Sequence, residues 1–356
     1  MTKSFPRIGY VPYNASLKMP GDRRRFIAYA SARGLPFEIA QPDQRYDVVV
    51  LSELADITMW SDYSHGKIIY DLIDSYLAIP RTDIKQFLRG TVHYVAGRHH
   101  RLLFDYRASI QRMCRRADAV ICTTDEQKRD ILRLCPNVHI ILDNHDPVVK
   151  TIKREYRANS PFNLVWEGLP SNIPQLKIIG PILRKLSRRK PLLLHIISGL
   201  NRPRFLNRFG TIESIEVARR FFDGVQLHQW EEATCSANIT NCDVAIIPID
   251  LNDPLTAGKP ENKLFLFWRM AMPTVASATP AYARAFGAVG LSHLACRDDK
   301  DWLNSLEHLM SNETARGKAG ARGYAFVESQ KSSARVLKHW DDVFASVGFQ
   351  FHNNVP

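Results

Sequence analysis

Continuous apolar runs alternate along the chain with stretches of helical periodicity. In the first half, these runs predict strands at 7–11, 46–51, 67–71, 119–123 and 138–142. Helical stretches separate them, such as 23–33, which Asp22 would cap and Gly34 would end. Strands that are apolar throughout are typical of parallel sheets, because helices cover both faces of such sheets.

The same alternation restarts in the second half. Further strands are predicted at 163–166, 191–198, 243–248 and 273–277, and helices at 173–188, 301–312, 314–329 and 333–346. Residues 147–161 are polar, include two prolines and are interpreted as an interdomain linker. The expected fold is α/β, with two Rossmann-like doubly wound domains that face a cleft, where ligands of such folds bind. The predicted domains are 1–150 and 151–330, followed by a C-terminal helix and tail at 331–356.

Composition supports a folded chain. Of the 356 residues, 45% are hydrophobic and 24% are charged, which excludes wholesale disorder. No apolar run approaches the ~20 residues of a membrane-spanning helix, and the first residues lack the apolar stretch of a secretory signal. We therefore expect a cytoplasmic protein. Its six cysteines form no C-x-x-C pair and are expected to be buried, reduced thiols.

The charge is strongly positive. A net charge of +12 indicates a polyanionic partner, which could be nucleic acid, an anionic membrane surface or a phosphorylated substrate. Segment 81–116 holds nine basic residues and two acidic ones. Within it, 98–116 is predicted as an amphipathic helix, which either faces the core or docks on anionic lipid. The apolar face of this helix would consist of Leu102, Leu103, Tyr106, Ile110 and Met113.

The absence of several short motifs argues against some classes of enzyme. The chain has no phosphate-binding loop of the G-x-x-x-x-G-K-[ST] type, no G-x-G-x-x-G, no H-E-x-x-H and no G-x-S-x-G. This argues against ATPases, dinucleotide oxidoreductases, zinc proteases and α/β-hydrolases. His99 and His100 have no second ligand pair at a suitable spacing, so no metal is expected. No RNP, OB or helix-turn-helix pattern supports nucleic-acid binding, so no nucleic-acid partner is expected.

The richest cluster of polar residues lies between the predicted strands at 243–248 and 273–277. Lys259, Glu261, Asn262 and Lys263 gather where a helix begins. The free N–H groups and partial positive charge of a helix N-terminus favour anions, so two lysines at this point would suit a diphosphate. The alternative is an ordinary solvated helix start.

This segment resembles the nucleotide-sugar signature of GT-B glycosyltransferases, in particular the GT4-like group, also called glycosyl transferases group 1. The residues that match without gaps are Asp243, Pro248, Lys259, Asn262, Lys263, Leu264 and Pro273. Stretches that resemble the family's N-terminal domain are 14–22, 70–74, and 117–121 with 143–146. The chain departs from the family at Leu266 and Gly258, where the family has glutamates, and at Ala271, where it has glycine.

The resemblance implies a set of site residues. Those expected to bind the donor are Gly168, Asn172, Trp230, Lys259, Glu261, Asn262 and Lys263. Trp230 would stack on the nucleobase or, alternatively, pack a domain edge. Asn14, Lys18 and Asp22 are expected on the acceptor side. His65 and Asp71 are the catalytic candidates, because they lie near predicted strand ends.

The function that the resemblance implies is transfer of a sugar from a nucleotide-sugar donor to a glycan or polyprenyl-linked acceptor, in the synthesis of a surface polysaccharide. It implies a retaining reaction without metal or other cofactor, in which the donor phosphate accepts the acceptor's proton. An inverting enzyme would instead need a carboxylate or histidine base. Peripheral attachment to the inner membrane face through 81–116 is a further expectation. Two alternatives stay open: a sugar-nucleotide epimerase, and a non-catalytic GT-B-like binding protein, which Leu266 and Gly258 would favour.

Overall fold

The computed structural model describes residues 6–80, 83–203 and 210–351, which form two compact units. The first unit consists of the chain up to Asn144 together with the segment that starts at Ser333, and the second unit consists of His145–Ser332. The boundaries drawn from the sequence were 150/151 and 330/331. Each unit is built around one sheet.

The first unit contains a six-stranded sheet in which every neighbouring pair is parallel. Its strands are β1 (Ile8–Val11), β2 (Glu38–Ile39), β3 (Val48–Ser52), β4 (Lys67–Asp71), β5 (Ala119–Cys122) and β6 (Val138–Ile140), in the order β2-β1-β3-β4-β5-β6. Its helices are α1 (Pro20–Arg23), α2 (Phe26–Arg33), α3 (Ile57–Trp60), α4 (Ile84–Val95), α5 (Tyr106–Arg116), α6 (Asp125–Leu132) and the last helix of the chain, α15 (Ser333–Ser346), with a 3₁₀ turn at Tyr76–Ala78. The parallel sheet expected from the apolar runs is confirmed.

Two helix predictions in this unit were wrong in detail. The helix expected over 23–33 is divided into α1 and α2, because the backbone at Arg25 leaves the helical region (φ −122°, ψ −113°). Met19 caps α1, and Asp22 lies inside it. The helix expected over 98–116 begins only at Tyr106, where Asp105 accepts a hydrogen bond from the backbone N–H of Ala108 at 2.8 Å.

The last helix completes the core of the first unit. Trp340 of α15 stacks on Tyr29 of α2, with 5.5 Å between the ring centroids, and Phe344 stacks on the same ring at 5.4 Å. At the edge of this contact, the guanidinium of Arg33 forms an ion pair with Asp341 at 2.6 Å. Stacked aromatic rings bury large apolar areas, so this helix stabilises the unit although it is remote in sequence.

The second unit contains another six-stranded parallel sheet. Its strands are β7 (Phe162–Glu167), β8 (Leu192–Ser198), β11 (Val225–Gln229), β12 (Val244–Ile247), β13 (Thr274–Ser277) and β14 (Ala295–Cys296), in the order β11-β8-β7-β12-β13-β14, and β9 (Asn201–Pro203) with β10 (Thr211–Glu213) forms an antiparallel pair. Its helices are α7 (Gly180–Ser187), α8 (Ser214–Arg219), α9 (Cys235–Thr240), α10 (Pro254–Ala257), α11 (Asn262–Arg269), α12 (Pro280–Ala288), α13 (Asp299–Ser311) and α14 (Glu313–Gln330), with 3₁₀ helices at Pro170–Ile178 and Ser292–Leu294.

Residues 147–161, interpreted from the sequence as a linker, contain neither helix nor strand and are bound to the second unit. The N–H of Lys153 donates to the carbonyl of Met270 at 2.9 Å, and the hydroxyl of Tyr156 donates to the carbonyl of Ala271 at 2.9 Å. Arg316 of α14 in turn donates to the carbonyl of Tyr156 at 2.6 Å. The irregular backbone is thus paired, as buried polar groups must be.

Strand order identifies where each sheet would bind a ligand. In the first unit the order reverses between β1 and β3, and in the second unit it reverses between β7 and β12. Loops that leave neighbouring strands in opposite directions open a crevice at the carboxyl ends of those strands. Residues that follow these four strands are therefore the first to consider for function.

Two further sequence expectations can be compared with the structure. All six cysteines are buried free thiols, as expected. Within the described ranges, no helix is both long and apolar enough to cross a bilayer.

Candidate functional site

The predicted donor-binding residues lie at the carboxyl edge of the second sheet. Gly168 directly follows β7, Trp230 directly follows β11, and Lys263 lies in the first turn of α11, which is the helix between β12 and β13. Asn172 is half-buried in the 3₁₀ helix after Gly168. The loop that leads into α11 carries Lys259 and Glu261, and Asn262 is the first residue of the helix; all three are half-buried.

Lys263 is held across the point where the strand order reverses. Its Nζ donates a hydrogen bond to the carbonyl oxygen of Glu167 at 2.7 Å and lies 4.9 Å from the centroid of the Trp166 ring. A Cβ atom at Gly168 would come within 2.4 Å of this Nζ and 2.8 Å of the Trp166 ring. Glycine at 168 therefore provides the room in which the ammonium group lies.

Trp230 is fixed by the same strand end. Its indole N–H donates to a carboxylate oxygen of Glu167 at 3.1 Å, and its backbone N–H donates to the carbonyl of Ser198 at 2.9 Å. The hydroxyl of Ser198 donates to the carbonyl of Gly168 at 2.7 Å. These bonds join the ends of β7, β8 and β11 and leave the half-buried Trp230 ring in one orientation. Its stacking on a nucleobase stays a prediction.

Helix α11 presents its N-terminus at this edge, while its remaining residues lie in the core. Residues 264–269 are all buried. Leu266, at the position of the family's glutamate, is fully buried, so no ligand can contact its side chain. Gly258 follows α10 as its C-terminal cap. Glu261, the N-terminal cap residue of α11, is the nearest acid to the helix entrance in sequence.

In the first unit, Asp71 is committed to a buried ion pair. It is the last residue of β4, and both its carboxylate oxygens accept hydrogen bonds at 2.6 Å from the fork of Arg25. A third nitrogen of Arg25 donates to the carbonyl of Ile141 at 3.0 Å and to Asp143 at 3.2 Å. Burial raises the pKa of Asp71, and the positive charge of Arg25 opposes that rise. The geometry is that of a structural anchor.

His65, the second catalytic candidate, lies at the other edge of the sheet. It precedes β4 by two residues and is exposed, with its ring edge-on to Tyr63 at 5.6 Å. A strand rises by about 3.3 Å per residue, which separates His65 from Asp71 by roughly 20 Å. The structure does not bring the two together, so they cannot serve the same reacting atom.

The predicted acceptor-side residues divide into two groups. Asn14 and Lys18 are exposed in the loop after β1, where the side-chain oxygen of Asn14 accepts from the hydroxyl of Ser16 at 2.7 Å. Asp22 is fully buried. One of its oxygens accepts from the hydroxyl of Tyr10 at 2.7 Å and from the backbone N–H of Tyr13 at 2.9 Å. Asp22 thus shapes the loop from within.

Two glutamates that were not predicted as site residues lie at the points where the strand order reverses. Glu167 ends β7 and contacts both Trp230 and Lys263. Glu53 follows β3, and one of its oxygens accepts from the backbone N–H groups of Ile73 at 3.0 Å and Asp74 at 2.8 Å. Burial raises the pKa of Glu53, and the charge of Asp74 raises it further. An acid at or just after the end of a predicted strand was the available signal in both cases.

No metal centre was expected. Among residues 6–80, 83–203 and 210–351, no group of three or more His, Cys, Asp or Glu side chains is arranged to hold a metal ion.

Comparison with known proteins gives matches at the level of structure. No protein-family model matches the chain, and neither does any curated protein sequence. A glycosyltransferase from Rickettsia africae ESF-5 matches 97% of this chain and 99% of its own length, with a TM-score of 0.61 and 11% identity. WaaG, a glycosyltransferase involved in lipopolysaccharide biosynthesis, matches 96% of this chain and 100% of its own length, with a TM-score of 0.55 and 10% identity.

TarM is a further similar structure, with a TM-score of 0.56, 10% identity and 83% of this chain covered. The present chain spans only 54% of the length of TarM. A mutant of the S. aureus protein has been crystallised with Fondaparinux, alpha-GlcNAc-glycerol and UDP. Together with the two parallel sheets, these likenesses show that the chain has the α/β fold of GT-B glycosyltransferases, as the sequence resemblance implied.

Proposed function

We propose that the chain is a glycosyltransferase that transfers a sugar from a nucleotide-sugar to a glycan or lipid-linked acceptor, in the synthesis of a surface polysaccharide. The observation that carries this proposal is the Lys263 ammonium group at the reversal point of the second sheet, held 2.7 Å from the carbonyl of Glu167 at the N-terminus of α11. The GT-B fold and the UDP bound by a TarM mutant support it.

The donor's diphosphate would bind at the entrance of α11. The first N–H groups of a helix have no partner within the helix, and the helix dipole adds a partial positive charge. Lys263 adds a full charge at this point, and Lys259 precedes the helix by three residues. This combination favours a doubly charged anion over a neutral ligand.

The nucleoside would lie beside the diphosphate. The Trp230 ring, oriented by its bond to Glu167, offers a flat apolar face to a base. Glu261 would accept hydrogen bonds from the ribose, because Leu266 lies in the core and cannot do so. Gly168 would leave room for the Lys263 ammonium group that meets the diphosphate, and Asn172 would contribute an amide at the same edge.

The proposed chemistry is retaining and independent of metal, with the donor phosphate accepting the proton of the acceptor hydroxyl. Such a reaction depends on positioning and on stabilisation of the leaving diphosphate. It requires no strong base, which agrees with the commitment of Asp71 to Arg25. Asn14 and Lys18 offer exposed polar groups to the acceptor. We place this reaction in the cytoplasm, on the inner face of the membrane.

Nucleotide binding tests the proposal most directly. UDP, GDP, ADP, CMP and dTDP would each be added to the protein in a thermal-shift assay. A nucleotide present at 100 times its Kd should stabilise the fold by about 2.7 kcal/mol and raise the Tm. If none of the five raises the Tm, the proposal is wrong. Turnover of the matching nucleotide-sugar without acceptor would instead indicate the epimerase.

The Lys263→Met variant locates the site. Loss of a charged hydrogen-bond donor should lower affinity for the nucleotide by about 10- to 100-fold. Lys190→Met is the matched control, because Lys190 also lies over a ring, Phe162 at 5.2 Å, and donates to a backbone carbonyl, Met310 at 3.5 Å. Lys190 precedes β8 and is therefore at the opposite edge. Equal affinities of the two variants would remove Lys263 from the site.

A further inference from the structure

Exposed apolar side chains are concentrated in one short segment of the first unit. Ten large hydrophobic residues are exposed in the described part of the chain, and half of them lie between residues 92 and 104. These five are Val92, Tyr94, Val95, Leu102 and Phe104. Phe104 is 68% exposed, the highest value among the ten. Scattered apolar residues need no explanation, but a contiguous group of this kind marks an interaction surface.

The segment is anchored from its inner side. Gly97 takes a positive φ of +68° after α4, and the N–H of Arg98 then donates to the carbonyl of His93 at 2.9 Å. The ring of His99 packs between His93, at 4.8 Å, and Tyr106, at 5.9 Å. His99 is thus buried. Because these three rings are packed inside the unit, the segment is fixed with its exposed apolar side chains facing solvent.

Because α5 begins only at Tyr106, the residues exposed to a binding partner differ from those predicted from the sequence. The sequence analysis placed Leu102, Leu103, Tyr106, Ile110 and Met113 on one face of a longer helix. Tyr106, Ile110 and Met113 are buried in the core of the unit, whereas Leu102 and Phe104 precede the helix and are exposed. The predicted amphipathic helix is therefore an internal helix, and the surface is the loop before it together with the end of α4.

Basic groups are interleaved with these apolar residues. Between residues 92 and 107 the chain has three arginines, three histidines and one aspartate. Arg98 is exposed, as is Arg101, which pairs with Asp62 at 3.1 Å. The same Asp62 also pairs with Arg112, so one carboxylate is shared by two guanidinium groups. Asp105 caps α5. Four arginines (98, 101, 107 and 112) are thus set against three aspartates (56, 62 and 105), which leaves an excess of one positive charge. Arg81, the first residue of the basic segment, lies outside the described residues.

The surface lies at the carboxyl edge of its sheet. Helix α5 leads into the start of β5, so its own first residue is at the opposite, carboxyl edge. His100 confirms this, because its backbone N–H donates at 2.8 Å to Asp56, which follows β3. The acceptor-side loop after β1 ends at the same edge.

We propose that Val92, Val95, Arg98, Arg101, Leu102 and Phe104 form a docking surface for an anionic lipid bilayer. Apolar side chains enter the boundary between headgroups and acyl chains, while arginines stay at the phosphates. A second copy of this chain would instead place arginines of like charge against one another, which is unfavourable. At the bilayer, this surface would bring the protein close to a lipid-linked acceptor. That role rests on the proposed function, whereas lipid binding itself does not depend on it.

Sedimentation with vesicles tests the proposal. The protein should bind vesicles of phosphatidylglycerol and phosphatidylethanolamine, bind pure phosphatidylcholine at least about 10-fold more weakly, and dissociate as salt is raised. Equal binding to both kinds of vesicle, or binding to neither, would overturn the proposal. Nucleotide binding measured on the same sample separates the two claims, because it tests the second unit alone.

Paired variants locate the surface. Val95→Asp combined with Phe104→Asp should weaken binding by about 10-fold for each side chain removed from the bilayer. Leu132→Asp is the control, since Leu132 is 44% exposed on α6, close to the 49% of Val95. Arg98→Gln should weaken binding by a few fold, whereas Arg129→Gln, on α6, should not. If the double variant binds as tightly as Leu132→Asp, or instead converts a dimer to a monomer in light scattering, the surface is not a lipid site.

Discussion

The two sheets of this chain both place a basic side chain against the carboxyl end of a strand, but they use it differently. In the first unit, the guanidinium of Arg25 is completely buried and is paired with Asp71 and Asp143. In the second unit, the ammonium of Lys263 is half-buried and is bonded to a neutral carbonyl and a ring face. A buried ion needs a matching charge from the protein. A half-buried ammonium group in the first turn of a helix lies where anions are favoured.

The difference follows from local backbone structure. Arg25 points inward because the chain breaks between α1 and α2, which brings its side chain to the end of β4. Lys263 lies in the first turn of an unbroken helix, whose N-terminus remains at the edge of the sheet. One position therefore contributes to stability and the other is suited to binding, although both sheets are parallel and doubly wound.

Replacing Arg25 should produce the largest effect. Arg25→Met leaves the buried Asp71 without its bidentate partner, and removal of one member of a buried pair costs about 3–5 kcal/mol of unfolding free energy. Urea denaturation would measure this. Arg7→Met is the control, because the pair of Arg7 with Glu38 is half exposed on both sides and should contribute far less to the free energy of unfolding. Similar losses for both variants would contradict the distinction between buried and open charges.

Gly168→Ala should have the next largest effect, and on binding more than on folding. The new methyl group would lie 2.4 Å from Lys263 Nζ and 2.8 Å from the Trp166 ring, so the lysine must leave its position. We expect nucleotide affinity to fall by about 10-fold, because the displaced ammonium group loses its charged contact with the diphosphate. Isothermal titration with the nucleotide found by thermal shift measures it. Gly287→Ala, whose methyl group would meet nothing closer than 3.8 Å, should bind normally. Unchanged affinity in Gly168→Ala would show that the lysine position is irrelevant to the ligand.

The sequence was sufficient for the strands of both sheets that are apolar throughout, such as β3 and β12, because uniform burial leaves an uninterrupted pattern. It did not allow β11 to be predicted, because the polar residues on the outer face of this strand interrupt the apolar pattern. The break at Arg25 could not be predicted, because the partner of this arginine, Asp71, lies 46 residues away in the sequence. Lys263 was predicted at the site, but its partner Glu167, 96 residues away, was not. His65 was grouped with Asp71 because both lie near an end of the same predicted strand. His65 precedes β4, however, and a residue before a parallel strand lies at the edge of the sheet opposite the binding loops.

The smallest predicted effect concerns two histidines on the strands that position Trp230. His195 of β8 and His228 of β11 lie 2.8 Å apart through ring nitrogens. Burial lowers the pKa of both rings, and the neighbouring His228 lowers the pKa of His195 further, against the opposing charge of Asp243. Both rings are therefore neutral in the folded state at a pH where the unfolded chain, with a histidine pKa of about 6.5, begins to bind protons. Their contribution to stability is complete above that pH and is lost as the pH falls through the lowered pKa values.

Acidification sharpens the comparison, because the contact between His195 and His228 in the second unit should weaken as the pH falls. Between pH 7.5 and 5.5, the Tm of the wild type should fall by more than that of His228→Gln. Folding disfavours protonation of both histidines in the wild type, whereas the variant keeps only one of them. The difference should be only a few degrees, because both rings keep contact with solvent. His65→Gln, exposed in the first unit, is the control and should follow the wild type. If the Tm of all three proteins falls by the same amount, the pair of His195 and His228 does not determine how acid affects the stability of the second unit.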